Sequence, residues 1–516
     1  MIYKCKNRKL KRLIPVLLSF FVLQIAIFPQ KADLVIVNAN IRTIDKTKQR
    51  AEALAVTKNK ISAVGTNQEI RAFIGENTST IDANNKLVLP GFNDAHVHFT
   101  AMGSQFFSID LRDAETPAEI VEKIRFYASF LPKGQWILGF NWNNSNRMPN
   151  DLPTKYLIDA VTPDHPIFIY HSNTKTAFVN SLALKLARID KNTKDIAGGE
   201  IVRDETGQPT GILKASAMDL VKRFVPQFVT ENKLAVAESA SNYAAAFGVT
   251  SVQDVSADDN TLIYRELARQ GKLKTRIYDC AALSEWQKLA NNNIKKNSGD
   301  GLIRQGCLKG MADGDAESTA GLYEEIRAAD LADLQVMVHA IGLSSNNQIL
   351  TIFERVIKAN GKKDRRFRVE HAHNLRPQDF RRFANSNIIA SVQPFLFSNG
   401  AGKSLEPLRT LLATNATLAF GSDSSLIPIN PLFGIAAAVN TFDPKQKLSV
   451  EEAVRFYTLG AAYAEFQENE KGTITVGKLA DFVILSDDIF TIDPNDIGQT
   501  KVLTTVMDGN IVYQSR

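Results

Sequence analysis

His96 and His98 stand two residues apart at the end of the apolar run Leu89-Pro90-Gly91-Phe92. Side chains of a strand alternate faces, so both imidazoles point the same way. Two neutral imidazoles converging on one point suit zinc or a similar borderline divalent metal, and Asp94 is close enough to orient one of them. Three further groups recur in the same setting. His339 ends Val336-Met337-Val338, His371 follows Phe367-Arg368-Val369-Glu370, and Asp423 follows Leu418-Ala419-Phe420-Gly421-Ser422. Singly, each reads as a structural or capping residue. Four imidazoles and a carboxylate at strand ends, in a chain with only seven histidines, are metal-site chemistry wherever those ends meet.

The architecture that makes them meet is a parallel barrel, in which the C-terminal strand ends face one another across a mouth. Strand candidates are the run ending at His98, then Val249 to Val255, Thr275 to Cys280, Ile303 to Met311, Gln335 to His339, Phe367 to His371, Ile388 to Val392 and Ala416 to Phe420. Helical segments separate several of them. After Thr230, the residues Leu234, Ala237, Ala240, Ala244 and Phe247 hold helical spacing until Gly248, and Leu322 to Ala332 and Asn346 to Ala359 read the same way. Eight parallel units in alternation with helices favour an α/β fold of the (β/α)8 TIM type over an open sheet. The stretch from about Asp110 to Phe228 is far too long for one crossover and reads as an insertion after the first barrel strand.

Both ends of the chain are β-rich. Leu34 to Val37 and Ile61 to Val64 alternate with turn residues, and so do Phe482 to Leu485 and Val502 to Met507, the last followed by the hairpin-like Asp508-Gly509-Asn510. A small composite β-sandwich domain from residues 33–88 plus 471–516 is expected, flanking a barrel over 89–470.

Charge is unevenly placed. Lys4, Lys6, Arg8, Lys9, Lys11, Arg12 and Lys31 all precede the first acidic residue, Asp33; without those seven, the 61 basic residues fall to 54 against 55 acidic ones. The body is therefore no polyanion binder, and a nucleic-acid partner is excluded on charge. The early cations lead into the apolar stretch Leu13 to Phe28, so residues 1–32 read as an export signal or, uncleaved, as an N-terminal anchor. Either way the body is expected in the periplasm or outside the cell, with membrane contact only through that segment. Past Cys5, the remaining Cys280 and Cys307 read as buried thiols packing like small hydrophobes.

From about Ala32 to its end the chain resembles the amidohydrolase superfamily and, within it, the family that includes N-substituted formamide deformylase. The resemblance rests on Pro90-Gly91-Phe92 leading into His96-Val97-His98, Lys309 followed by Ala312-Asp313-Gly314, His339-Ala340-Ile341-Gly342, Glu370-His371-Ala372-His373, Gln393-Pro394, Gly421-Ser422-Asp423 and Gly477-Lys478-Leu479-Ala480-Asp481. It implies a metal-activated water attacking an amide-type carbonyl. His96 and His98 would bind one metal, and His339 and His371 a second metal or the substrate. Asp423 would be a ligand that also takes a proton from the water and passes it to the leaving nitrogen. Lys309 falls where the family has a lysine that can be carboxylated to bridge two metals; an unmodified ammonium there would repel the cations.

The implied protein is a zinc-type hydrolase with one or two metals, acting on a small molecule through an amide, N-formyl or cyclic amide bond. Attack on an ester, a ring deamination and a catalytically idle metal-binding barrel remain as alternatives, and a homo-oligomer is compatible with the sequence. Substrate contacts are expected from Asp313, from Lys175, which stands where relatives usually carry histidine, and from His373, which shares the face of His371 if the strand continues and then touches either the substrate or a metal ligand. Ala215 likewise stands where a glutamate is common. His171 is close enough in sequence to replace that histidine in part but reads more as a surface or structural residue, and Trp136 and Trp142 read chiefly as core.

Overall fold

The computed structural model describes residues 1, 30–112, 114, 116–129, 131, 133–142, 154–172, 174–225, 230–258, 260–312, 321–398, 407–425 and 427–515. The apolar N-terminal stretch and Asp313 lie outside the described residues. Among the described residues no helix is long and apolar enough to cross a membrane.

Eight parallel strands build the centre: β1 (Phe92–Val97), β2 (Val249–Ala257), β3 (Arg276–Ala282), β4 (Ile303–Met311), β5 (Gln335–Ile341), β6 (Arg368–His373), β7 (Ile389–Val392) and β8 (Thr417–Phe420). They pair in chain order from β1 to β8. A parallel bridge from Val97 to Ser424, just beyond β8, brings the two edges together. The chain is thus an α/β barrel, and all eight expected strands are present. Their runs are nearly continuous in apolar residues because helices cover the outside while side chains fill the inside. Phe353 and Phe367 stack at 4.5 Å on the outer side, whereas Val255, Tyr278, Cys280, Cys307 and Met337 form a separate buried cluster.

That inner cluster corrects one expectation. Cys280 and Cys307 are not free thiols but a disulfide. They are register partners on neighbouring β3 and β4, with Cα atoms 4.6 Å apart, inside the range a disulfide spans. Their separation of 27 residues in the chain hides a contact that only strand pairing creates.

Between β1 and β2 the chain makes a second sheet of six strands, Ile109–Asp110, Ile137–Trp142, Ile167–His171, Thr176–Val179, Pro209–Ala215 and Gly199–Arg203 in spatial order. Ile120 and Ile124, on the helix Pro117–Ala128, pack with Ile137, Trp142 and Phe178, while Phe168, Val179 and Leu213 form another cluster. Trp142 is fully buried. A third sheet mixes the chain ends: Leu87–Pro90 pairs antiparallel with Phe482–Leu485, which pairs with Val502–Met507. The latter turns at Asp508 (φ 55°) and Gly509 (φ 77°) into Asn510–Gln514, the left-handed pair that a two-residue hairpin requires. A four-stranded sheet, Leu34–Val37, Ala53–Thr57, Lys60–Gly65 and Ser79–Asp82, lies beside it in sequence.

Candidate metal centre

Backbone pairing across the barrel seam positions the first ligands. The His98 N–H donates to Ser424 O at 2.5 Å, and the Asp423 N–H donates to His96 O at 2.7 Å. Gly421 permits this approach, since a Cβ there would stand 2.5 Å from His96 N. Asp423 (φ 61°) and His371 (φ 73°) adopt left-handed backbone that L-residues seldom take and that gathers at functional sites.

His96 Nε2 lies 3.4 Å and His98 Nε2 3.5 Å from Asp423 Oδ1. One ligand atom from each of these three residues falls within 4.8 Å of the others. Asp423 Oδ1 is buried without a hydrogen-bond donor. A buried carboxylate oxygen with no donor is costly unless something positive takes its lone pairs, so the donor set fits a divalent cation. The His371 ring lies 4.9 Å from that of His96 and 4.4 Å from that of His339. Gln393 Oε1 engages His371 Nδ1 at 2.7 Å. Lys309 is buried near the end of β4, and its charge bears on His96, His98 and His371.

The imidazoles respond in opposite directions: burial and the Lys309 charge pull His96 down, but the Asp423 and Glu370 carboxylates outweigh them and raise it, whereas His371 and His98 are lowered. Burial first, then the charge of His96, pushes His371 down to about 2, and the same two causes lower His98. Neutral imidazole is the form that binds metal. Burial alone would raise the Asp423 carboxyl, but the surrounding imidazoles, His96 foremost, hold it down to about 2.

Asp94 does not play the part expected of it. Its Oδ1 accepts the backbone N–H groups of His96 at 3.0 Å and Ser422 at 2.9 Å, and burial pushes its carboxyl up to about 6. The acid on the His96 ring is Glu370, whose Oε2 lies 2.5 Å from Nδ1. Burial would raise Glu370, yet the Arg368 guanidinium and the His96 contact hold it well below the usual carboxylate range. The sequence signal for this pair was two opposite charges, Arg368 and Glu370, in a strand expected to be buried.

The barrel therefore brings His96, His98, Lys309, His339, His371 and Asp423 to one mouth. His373 is the last residue of β6 and follows left-handed backbone at His371 and Ala372 (φ 46°). Its carbonyl accepts from Asn346 Nδ2 at 2.7 Å. Lys175 stands in the insertion, where its carbonyl accepts the Ala215 N–H at 2.8 Å, and His171 sets its ring edge-on to Trp142 at 4.4 Å.

An eight-stranded parallel barrel whose mouth collects imidazoles and a buried carboxylate defines a metal-dependent hydrolase. Comparison with known proteins agrees. The model of the amidohydrolase family matches residues 79–513. The protein LONG AFTER FAR-RED 3 of Arabidopsis thaliana is 32% identical over 93% of this chain and 92% of its own. The N-substituted formamide deformylase of Arthrobacter pascens is 27% identical over 94% of this chain and 99% of its own. A metal-dependent hydrolase of Pyrococcus furiosus superposes with a TM-score of 0.71 at 25% identity, covering 89% of this chain and 100% of its own. The chain belongs to the amidohydrolase family, and it is a hydrolase of the kind that acts on carbon–nitrogen bonds.

Proposed function

We propose that this enzyme cleaves the C–N bond of a small amide, N-formyl or cyclic amide substrate at a cation site made by His96, His98, Lys309, His339, His371 and Asp423. The observation that carries the reading is Asp423 Oδ1, buried without a donor and within 4.8 Å of ligand atoms of His96 and His98. Imidazole and carboxylate donors make zinc the proposed metal. A divalent cation held there supplies Lewis acidity and a water nucleophile at neutral pH. The Asp423 carboxylate takes the proton given up by the attacking water and returns it to the nitrogen of the departing amine. Lys309, buried near these imidazoles, would join the donor set as the carbamate that its neutral amine forms with CO2, supplying negative charge where an ammonium would oppose a cation.

Similarity to a formamide deformylase supports N-formyl amines as the first substrates to screen. Lys175 and Ala215, where relatives usually carry histidine and glutamate, support a different ligand on the insertion side. Residues 1–32 are proposed to export the body from the cytoplasm, and the Cys280–Cys307 disulfide is consistent with an oxidising compartment.

The test is amine release from N-formyl, N-acyl and cyclic amides by zinc-loaded protein, with esters and aminated rings as competitors. Release that stops on chelation and returns with zinc is expected. Faster turnover of an ester or an exocyclic ring amine would replace the amide reading, and protein that never takes up metal would leave an idle barrel.

A further inference from the structure

Arg368 is the first residue of β6 and is wholly buried. Its guanidinium reaches well beyond the neighbouring strands. Nη2 donates to Ala95 O on β1 at 2.6 Å and to Ser391 Oγ on β7 at 3.1 Å, and Nη1 donates to Gln253 Oε1 on β2. Since β1 and β2 are not neighbours of β6, these bonds run through the barrel interior. Nε donates to Glu370 Oε1 at 2.7 Å, and Nη2 reaches Oε2 at 3.1 Å. Glu370 Oε2 in turn meets His96 Nδ1 at 2.5 Å, and neither side chain is more than 1% exposed.

We infer that Arg368 and Glu370 form a clamp inside the barrel that fixes the His96 ring, drawing Nδ1–H toward Glu370 and presenting Nε2 toward the cation site. The inference deepens the proposed function and rests on its metal reading. An imidazole has two nitrogens, and only the hydrogen bond to one decides which is left for a metal. His96 Nε2 is the atom that faces Asp423, so the Nδ1 contact selects the face that the site uses. The guanidinium makes that choice rigid, because bonds to β1, β2 and β7 hold Arg368 in place and Arg368 in turn grips both Glu370 oxygens. Glu370 and Arg368 are positioning residues. Neither needs to touch substrate.

The experiment combines a variant with a direct measurement on the native protein. Glu370→Gln keeps the shape but removes the charge that Nδ1–H and Arg368 share. Zinc affinity, measured by competition with a chelator, is expected to fall roughly 10- to 100-fold. In zinc-loaded wild-type protein labelled with 15N-histidine, His96 is expected to carry a slowly exchanging proton on Nδ1, and this signal moves or disappears in the variant. Wild-type affinity in a folded Glu370→Gln protein overturns the clamp. So does a wild-type His96 protonated on Nε2, which decides the matter even where the variant does not fold. Wild-type protein that binds no zinc sinks the metal reading itself, and the clamp with it, which separates the two failures.

Discussion

Asp423 Oδ1 and His96 Nε2 lie 3.4 Å apart across the seam where β8 meets β1. Backbone bonds hold both partners, so their separation is a property of barrel closure and not of two mobile side chains. Replacing Asp423 by Asn leaves the volume unchanged and removes the acceptor for the proton of the attacking water. A general base contributes typically 100- to 10,000-fold, and kcat is expected to fall within that range. Metal content by elemental analysis is expected to stay near the wild-type value, His96 and His98 remaining in place. Loss of metal together with activity would make Asp423 chiefly a ligand.

Lys309 supplies the second prediction. It is buried near the end of β4, and as an ammonium it would add a positive charge beside the imidazoles that are to hold a cation. A carbamate reverses that sign. Wild-type protein prepared with bicarbonate is expected to hold about two metals per chain, the number that a bridging ligand serves. Lys309→Ala is expected to hold about one and to ignore bicarbonate. Unchanged metal content in the variant would defeat the bridge.

The Cys280–Cys307 disulfide joins β3 to β4 with Cys307 two residues before Lys309, on the same face of its strand. A cross-link over a separation of 27 residues removes loop entropy from the unfolded chain worth about 3–4 kcal/mol in the chain-entropy account. Denaturant unfolding of Cys280→Ala/Cys307→Ala is expected to show a loss of that order, with a larger m-value because the unfolded chain is no longer cross-linked. Thiol titration of unreduced, denatured protein with residues 1–32 removed should find no free thiol. Two reactive thiols would mean that the bond does not form.

Much of the barrel was legible because its strands are short apolar runs ending in chemistry. His339 and His371 drew attention for the very reason the fold places them together: each terminates a run that helices cover from outside. What escaped was whatever depends on partners across the barrel. Cys280 and Cys307 look like isolated small hydrophobes until strand register sets them side by side. Asp94 is nearer to His96 in sequence than Glu370 is, yet chain proximity led only to a backbone contact, while the ring partner came from the far side of the barrel.

Asp481 yields the prediction most remote from the metal. Arg276, which opens β3, donates from Nε and Nη2 to its two carboxylate oxygens at 2.7 and 2.9 Å, and the Asp508 N–H adds a bond at 2.8 Å. This buried fork ties the N-terminal end of the barrel to the sheet built from both chain ends. Burial would raise the Asp481 carboxyl, but the Arg276 charge and its hydrogen bonds lower it from the ordinary value. A carboxyl depressed in the folded state contributes stability that is fully present above the unfolded value, about 3.9, and is lost as pH falls through the lower folded value. Wild-type protein is therefore expected to lose stability on acidification below about pH 4. Asp481→Asn is expected to be less stable by roughly 1–3 kcal/mol at pH 7, since Arg276 loses its buried carboxylate partner but keeps Asp508 Oδ1 and Gly301 O, and to show a shallower decline in acid. Urea unfolding of both proteins from pH 7 down to about pH 3 measures this directly. Parallel pH profiles for the two would remove Asp481 from the acid response and leave the fork as packing alone.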